Sequence, residues 1–297
     1  MKRVQNIIIT LFVGIFLFGC SSQQKQEQHA TNDKPLIATS TFVLYDIVHH
    51  IGADDISLIH ILPFGVDPHS FEPTPKLMAQ LQKAKRVFYS GAGLEPWIRG
   101  FGREKKGWID LSKYVHLRGT QGHYDPHYWL DFDNMKKITS VITQELITLL
   151  PEKKALLLQR KDHYIKMLTM LQQRYTQELQ SCAIHTVVVG HNALGYLAQK
   201  YHFDVDPLSG LAPEAQPSAQ VVAHLMDTIK QKGIKMIFLE HFVNDSVMKN
   251  IAQERGIELE VFSALGNITA DEAQQKLGYK ELMLRNLEKL TKALDCK

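Results

Sequence analysis

The sequence has little cysteine, little net charge and no HExxH motif. Three cysteines stand at positions 20, 182 and 296 of 297 residues. Cys20 falls in an amino-terminal leader, so only Cys182 and Cys296 remain; a bond between them would tie the start of the second half to its last turn, and two unpaired thiols are the alternative. Lys and Arg number 34 against 31 Asp and Glu, a formal charge of +3. Lys2 and Arg3 supply two of those charges, and no basic stripe with interleaved aromatics appears, which excludes a nucleic-acid partner. The apolar run Ile7 to Phe18 is too short for a comfortable membrane span. Without HExxH, the commonest signature of a zinc hydrolase is missing.

What is present begins with a leader. Lys2 and Arg3, the apolar run and Leu17-Phe18-Gly19-Cys20 form a secretory signal that resembles those of bacterial lipoproteins, in which the cysteine becomes the lipidated first residue. Ser21 to Lys34 (SSQQKQEQHATNDK) has the polarity of a tether. The expectation is a signal over residues 1–19, lipidation at Cys20, a tether over 20–34, and an exported protein, periplasmic or at the cell surface and held on a membrane by lipid.

From Leu36 short β-branched runs alternate with helical ones. Strands are expected at Leu36–Ser40, Ile56–Leu62 and Arg86–Tyr89, and helices at Phe42–Ile51 and from Thr74-Pro75 to Lys83. Asp133 is the expected N-cap of a helix over Asn134–Leu150. Glu152 to Gln180 contains no Gly or Pro and predicts one long helix whose apolar spacing keeps no heptad, a connecting strut rather than a coiled coil. The grammar then restarts: strands at Thr186–Val189, Met236–Leu239 and Leu259–Phe262, and helices at Ala193–Tyr201, Pro217–Gln231, Ser246–Arg255 and Glu272–Leu294. Such alternation predicts an α/β fold of two lobes, each a parallel β-sheet flanked by helices, joined by one long rigid helix. The expected divisions are a first lobe over 35–150, the linking helix over 151–181 and a second lobe over 182–297.

Three histidines lie at the edges of apolar or aromatic runs: His69 within LPFGVDPHSFEPTP, His127 within DPHYWL and His191 within VVVGHNALGY. Singly, each reads more readily as a surface or core histidine, since among 14 some loop placements are expected by chance. Together, three neutral imidazoles suit zinc and accept manganese or iron, leaving a fourth position for carboxylate or water. Asp67 and Asp125 each precede a Pro-His pair, where a carboxylate can accept from the ring nitrogen facing away from a metal or simply form an Asx turn. His49, His50 and His60 read as exposed or hydrogen-bonded residues of the first lobe, and Trp97 and Trp129 as packing residues of the site walls.

The blocks PHSFEPTP, Gly91-Ala-Gly-Leu-Glu95 with Trp97, DPHYWLD, GHNALGYLAQKY, PEAQPSAQ and Ile237-Phe-Leu-Glu240 stand in the order found in the substrate-binding lipoproteins of bacterial zinc and manganese ABC importers, and residues 36–294 resemble that family. The resemblance implies a non-enzymatic, monomeric metal receptor that delivers its ion to an ABC permease, with His69, His127 and His191 as ligands. Histidine at the third position is usual in the zinc-type branch, so Zn²⁺ is the expected cargo, with Mn²⁺ or Fe²⁺ the alternatives. Two departures stand out. Ser263-Ala-Leu-Gly266 replaces an Asp-Pro-Leu-Gly segment whose aspartate supplies the fourth ligand, leaving that position to water, the preferred reading, or to Glu240. The His- and Asp-rich loop before DPHYWL is reduced to His116 and His123. A zinc hydrolase and an adhesin stabilised by metal are the rival readings. Release is expected through modest motion, because a long linking helix resists bending.

Overall fold

The computed structural model describes residues 34–101, 105–120, 123–211, 217–242 and 246–297. The leader, Cys20 and nearly all of the expected tether lie outside these residues, as does the PEAQ portion of the PEAQPSAQ block.

The first half builds a four-stranded parallel sheet. Strand β1 (Leu36–Thr39) leads into helix α1 (Phe42–Gly52), β2 (Ser57–His60), α2 (Pro75–Leu81), β3 (Arg86–Tyr89) and β4 (Trp108–Asp110), with sheet order β2-β1-β3-β4. A hairpin of β5 (Gly119–Thr120) and β6 (His123–Tyr124) precedes α3 (Phe132–Leu149) and then α4 (Lys154–Glu178). The second half repeats the plan with β7 (Thr186–His191), α5 (Gly195–Tyr201), β8 (Asp204–Ser209), α6 (Ala219–Lys232), β9 (Met236–Leu239), α7 (Ser246–Arg255), β10 (Glu258–Val261), α8 (Ala270–Gln274) and α9 (Tyr279–Ala293), in sheet order β10-β9-β7-β8. Every pairing in both sheets is parallel. In each sheet the order reverses beside the first strand, between β1 and β3 and between β7 and β9. Parallel sheets bind ligands at the carboxyl ends of strands flanking such a reversal.

Parallel strands covered on both faces must be apolar throughout, and alternate residues feed different cores. Ile37 of β1 and Val187 and Val189 of β7 enter one large core shared by both halves, whereas Ala38 and Val188 point to two smaller cores on the outer faces. Helix α4 lies in the shared core along a single stripe, Leu157, Tyr164, Leu168, Leu171 and Tyr175. Its 25 residues span about 37 Å at 1.5 Å per residue. Two tyrosines anchor it to different elements: Tyr164 Oη donates to Asp46 Oδ2 of α1 at 2.6 Å, and Tyr175 Oη to the Met283 carbonyl of α9 at 2.7 Å. Asp46 Oδ1 also accepts from Tyr279 N–H at the start of α9.

Several elements differ from expectation. Asp131, not Asp133, caps α3, its Oδ1 accepting from the N–H groups of Asp133 and Asn134; Asp133 instead pairs with Lys136 and Lys200. The expected closing helix over Glu272–Leu294 is two helices. A Thr269/Glu272 capping box starts α8, and Lys276 at φ +55° ends its run before α9 begins at Tyr279. Strand β8 escapes pattern reading because Asp204-Val-Asp-Pro207 resembles a turn; a proline is accommodated there because β8 is an edge strand. Strand β4 and the short hairpin were likewise invisible to periodicity. Cys182 and Cys296 are joined as a disulfide, and the backbone around them pairs too: Ile184 N–H donates to the Leu294 carbonyl and Lys297 N–H to that of Ser181.

Candidate metal centre

His69 sits in the loop between β2 and α2. Asp67 Oδ1 accepts from the His69 backbone N–H at 3.0 Å, an Asx turn that fixes the residue's placement. The loop is pinned from the second half: Asn267 Nδ2 donates to the carbonyls of Pro63 at 2.7 Å and Val66 at 2.8 Å, and Gly65 N–H donates to that of Ile268 at 3.0 Å. At the other end of the loop Thr74 caps α2, with Pro75 in its first turn.

His127 follows the β5–β6 hairpin and is buried. Asp125 Oδ1 accepts from both its backbone N–H at 3.0 Å and its Nδ1 at 2.9 Å. With Nδ1 donating to the carboxylate, the lone pair of the neutral ring is on Nε2. Trp129 packs edge-on against the ring at 5.4 Å and donates from Nε1 to the Ala264 carbonyl at 2.7 Å. Trp129 thus forms a wall of the site, whereas Trp97 belongs to the outer core beside Trp108, away from it.

His191 is the last residue of β7, not a loop residue, and is buried. Glu240 follows β9, and the register that pairs Val189 with Phe238 brings it alongside. Its Oε1 lies against His191 Nδ1. The fourth-ligand reading of Glu240 therefore meets a different geometry: the carboxylate sits at the nitrogen turned away from the other imidazoles, where it orients the ring. The nitrogen turned inward, His191 Nε2, lies 3.3 Å from His127 Nε2.

The three rings converge. Centroid separations are 5.4 Å for His69–His127, 5.9 Å for His69–His191 and 5.2 Å for His127–His191. One nitrogen from each lies within 4.8 Å of the others, the arrangement a single cation requires. The cleft they bound is small, about 30 Å³, enough to hold a single ion with a water molecule. Ser263 to Asn267 line its far side without a carboxylate, and Ser263 itself is tied by its backbone to the Asn286 side chain. His241, near a site loop of the second half in the sequence but matching no ligand position, also lines the cleft, 3.6 Å from Glu272. Among the other histidines, His49 and His50 are exposed on α1, whereas His60, expected to be exposed or hydrogen-bonded, has a buried Nε2 with no partner.

Burial, then the neighbouring His127 and His191, push His69 down to about 2, and burial alone pushes His60 down to about 4. Both rings stay neutral in the folded protein at pH values where the unfolded chain takes up protons, so each costs stability as pH falls below about 6.5. For His60 that loss runs down to pH about 4. Its ring lies between Tyr45 and Phe64, so phenylalanine fits the position. Between pH 6 and 4.5, metal-free parent is expected to lose up to about 1.4 kcal/mol per pH unit more than His60→Phe in urea unfolding; equal slopes would contradict a neutral buried ring.

Residues 37–293 match the family model described as zinc-uptake complex component A, periplasmic. The high-affinity zinc uptake system protein ZnuA of Bacillus subtilis is 27% identical over 313 residues, an alignment that covers 99% of this chain and 98% of the relative. The zinc-binding lipoprotein AdcA of Streptococcus pneumoniae is 26% identical, and this chain spans only 62% of its length. The crystal structure of the Zn(II)-bound ZnuA-like domain of that AdcA superimposes with a TM-score of 0.77 at 26% identity, covering 88% of this chain and 99% of the domain.

Proposed function

The chain belongs to the periplasmic zinc-uptake complex component A family, and from that premise we propose that it captures Zn²⁺ outside the cytoplasm and delivers it to an ABC permease. The observation that carries the reading is the pair of facing Nε2 atoms, 3.3 Å apart, on His127 and His191. A carboxylate beside each Nδ1 holds the proton there. Two lone pairs then point into one small cleft, an unfavourable arrangement that a cation turns into a favourable one.

His69 and His127 serve as ligands from the first lobe (35–150) and His191 from the second (182–297), with 151–181 as the link between them. Water completes the fourth position, and Glu240 acts as the orienting partner of His191. Neutral imidazole favours Zn²⁺ over Mn²⁺ or Fe²⁺. The protein is no enzyme in this reading: its open position receives cargo, not substrate for turnover. Export and lipid attachment at Cys20 complete the proposal, supported by the leader pattern of residues 1–20, and a monomeric state goes with them as what the family resemblance implies. Titrating metal-free protein with Zn²⁺ in a calorimeter is expected to give one ion per chain, with a thermal midpoint that rises on binding while the metal-free protein stays folded. Unfolding on chelation would favour a structural ion instead.

A further inference from the structure

Behind His127 lies an arginine whose partners cross between the two halves. Arg118 Nη1 donates to Asp125 Oδ2 at 2.7 Å, on the carboxylate whose other oxygen holds the His127 ring. Its Nε donates to Gln199 Oε1 at 3.1 Å, and its guanidinium carbon lies 5.4 Å from the centre of the Tyr196 ring. The Tyr196 hydroxyl accepts from Arg118 N–H and donates to the Asp125 carbonyl, both at 2.9 Å. Tyr196 and Gln199 belong to α5, which starts four residues after His191. A planar fork that spans a carboxylate and an amide while stacking on an aromatic face is a role lysine cannot copy.

Gly195, the first residue of α5, completes the arrangement. A methyl group there would stand 1.6 Å from Arg118 Nη1 and 2.6 Å from its Cζ. Its φ is outside the left-handed region, so the backbone places no demand for glycine. The space taken by the guanidinium does.

We propose that Arg118 is a positioning residue for metal capture. It locks His127, through Asp125, to the helix that follows His191, and Gly195 is the notch that admits it. The orientation of a first-half ligand and the seating of the second-half segment are thereby set together, so that one cannot shift without straining the other. This rests on His127 and His191 being metal ligands.

Two variants test it. Gly195→Ala removes no polar group and no charge, yet its methyl must expel the guanidinium; Arg118→Lys keeps the charge and loses the fork. Each is measured by Zn²⁺ affinity against a chromophoric chelator, by the visible absorption of the Co²⁺-loaded protein, and by the thermal midpoint of the metal-free protein. Both variants are expected to bind Zn²⁺ about 10–100-fold more weakly, the usual cost of losing an outer partner of a ligand, with a shifted Co²⁺ spectrum and a metal-free midpoint close to the parent's. A parental affinity and spectrum in Gly195→Ala overturn the proposal, as does an affinity loss matched by a lowered metal-free midpoint, which marks a merely structural contact. Failure of the ligand reading itself shows separately, as a parent protein that binds neither Zn²⁺ nor Co²⁺ at one ion per chain.

Discussion

His191→Ala is expected to weaken Zn²⁺ binding by more than the roughly 10–100-fold that removal of an outer-shell partner costs. His191 is the one imidazole the second half brings to the cluster, and it reaches His127 nitrogen to nitrogen at 3.3 Å. Without it, His69 and His127 remain as two of the three clustered donors, and among the described residues the second half contributes no member of that cluster. Glu240→Gln provides the contrast. Its carboxylate lies against His191 Nδ1, so the amide leaves all three inward nitrogens in place and loosens only the orientation of one ring. Its loss should therefore stay within the 10–100-fold range. Competition against a chelator of known affinity measures both, and a Glu240→Gln loss equal to that of His191→Ala would return Glu240 to the ligand set.

The largest effect on stability is expected from the disulfide. Cys182 and Cys296 are 114 residues apart in sequence, and a crosslink of that span removes considerable freedom from the unfolded chain. Chain-entropy estimates give about 4.7 kcal/mol for a 100-residue loop, and removing native bridges typically costs about 2–5 kcal/mol. The bond also fastens the carboxyl-terminal segment to the residues that lead into β7, where Ala183 and Ile184 donate to the carbonyls of Asp295 and Leu294. Replacing both cysteines by serine should lower the unfolding free energy by about 2–5 kcal/mol in urea. Zn²⁺ affinity should be unchanged, because neither cysteine lines the metal cleft. A denaturation midpoint insensitive both to the double substitution and to reductant would contradict the bond.

The alternation of β-branched and helical segments was enough to read two parallel sheets and a long joining helix, because covered parallel strands must be apolar along their length. Strand β9 and helix α7 fall at their expected limits. What pattern reading lost has local causes. Asp131 and Asp133 are both good caps, and only the backbone decides which one accepts the free N–H groups. Strand β8 is written in Asp and Pro, and α8 and α9 are separated by a left-handed lysine that no periodicity announces.

The three histidines were visible as residues at the edges of apolar runs, but their convergence was not, since 58 positions separate His69 from His127 and 64 separate His127 from His191. Asp125 was readable from its place two residues before a histidine. Glu240 was visible as a carboxylate after a strand, while its side of the His191 ring depended on the register between β7 and β9. Arg118 had no signal, because its partners Tyr196 and Gln199 lie about 80 residues away on a helix of the other half.

The central claim is that three imidazoles drawn from the two halves of the chain select zinc. A competition titration of the metal-free protein with Zn²⁺ and Mn²⁺ tests it most directly, since nitrogen donors rank Zn²⁺ well above Mn²⁺ whereas carboxylate-rich sites suit Mn²⁺. The expected result is one Zn²⁺ per chain that excess Mn²⁺ does not displace. Equal or tighter binding of Mn²⁺ would contradict it.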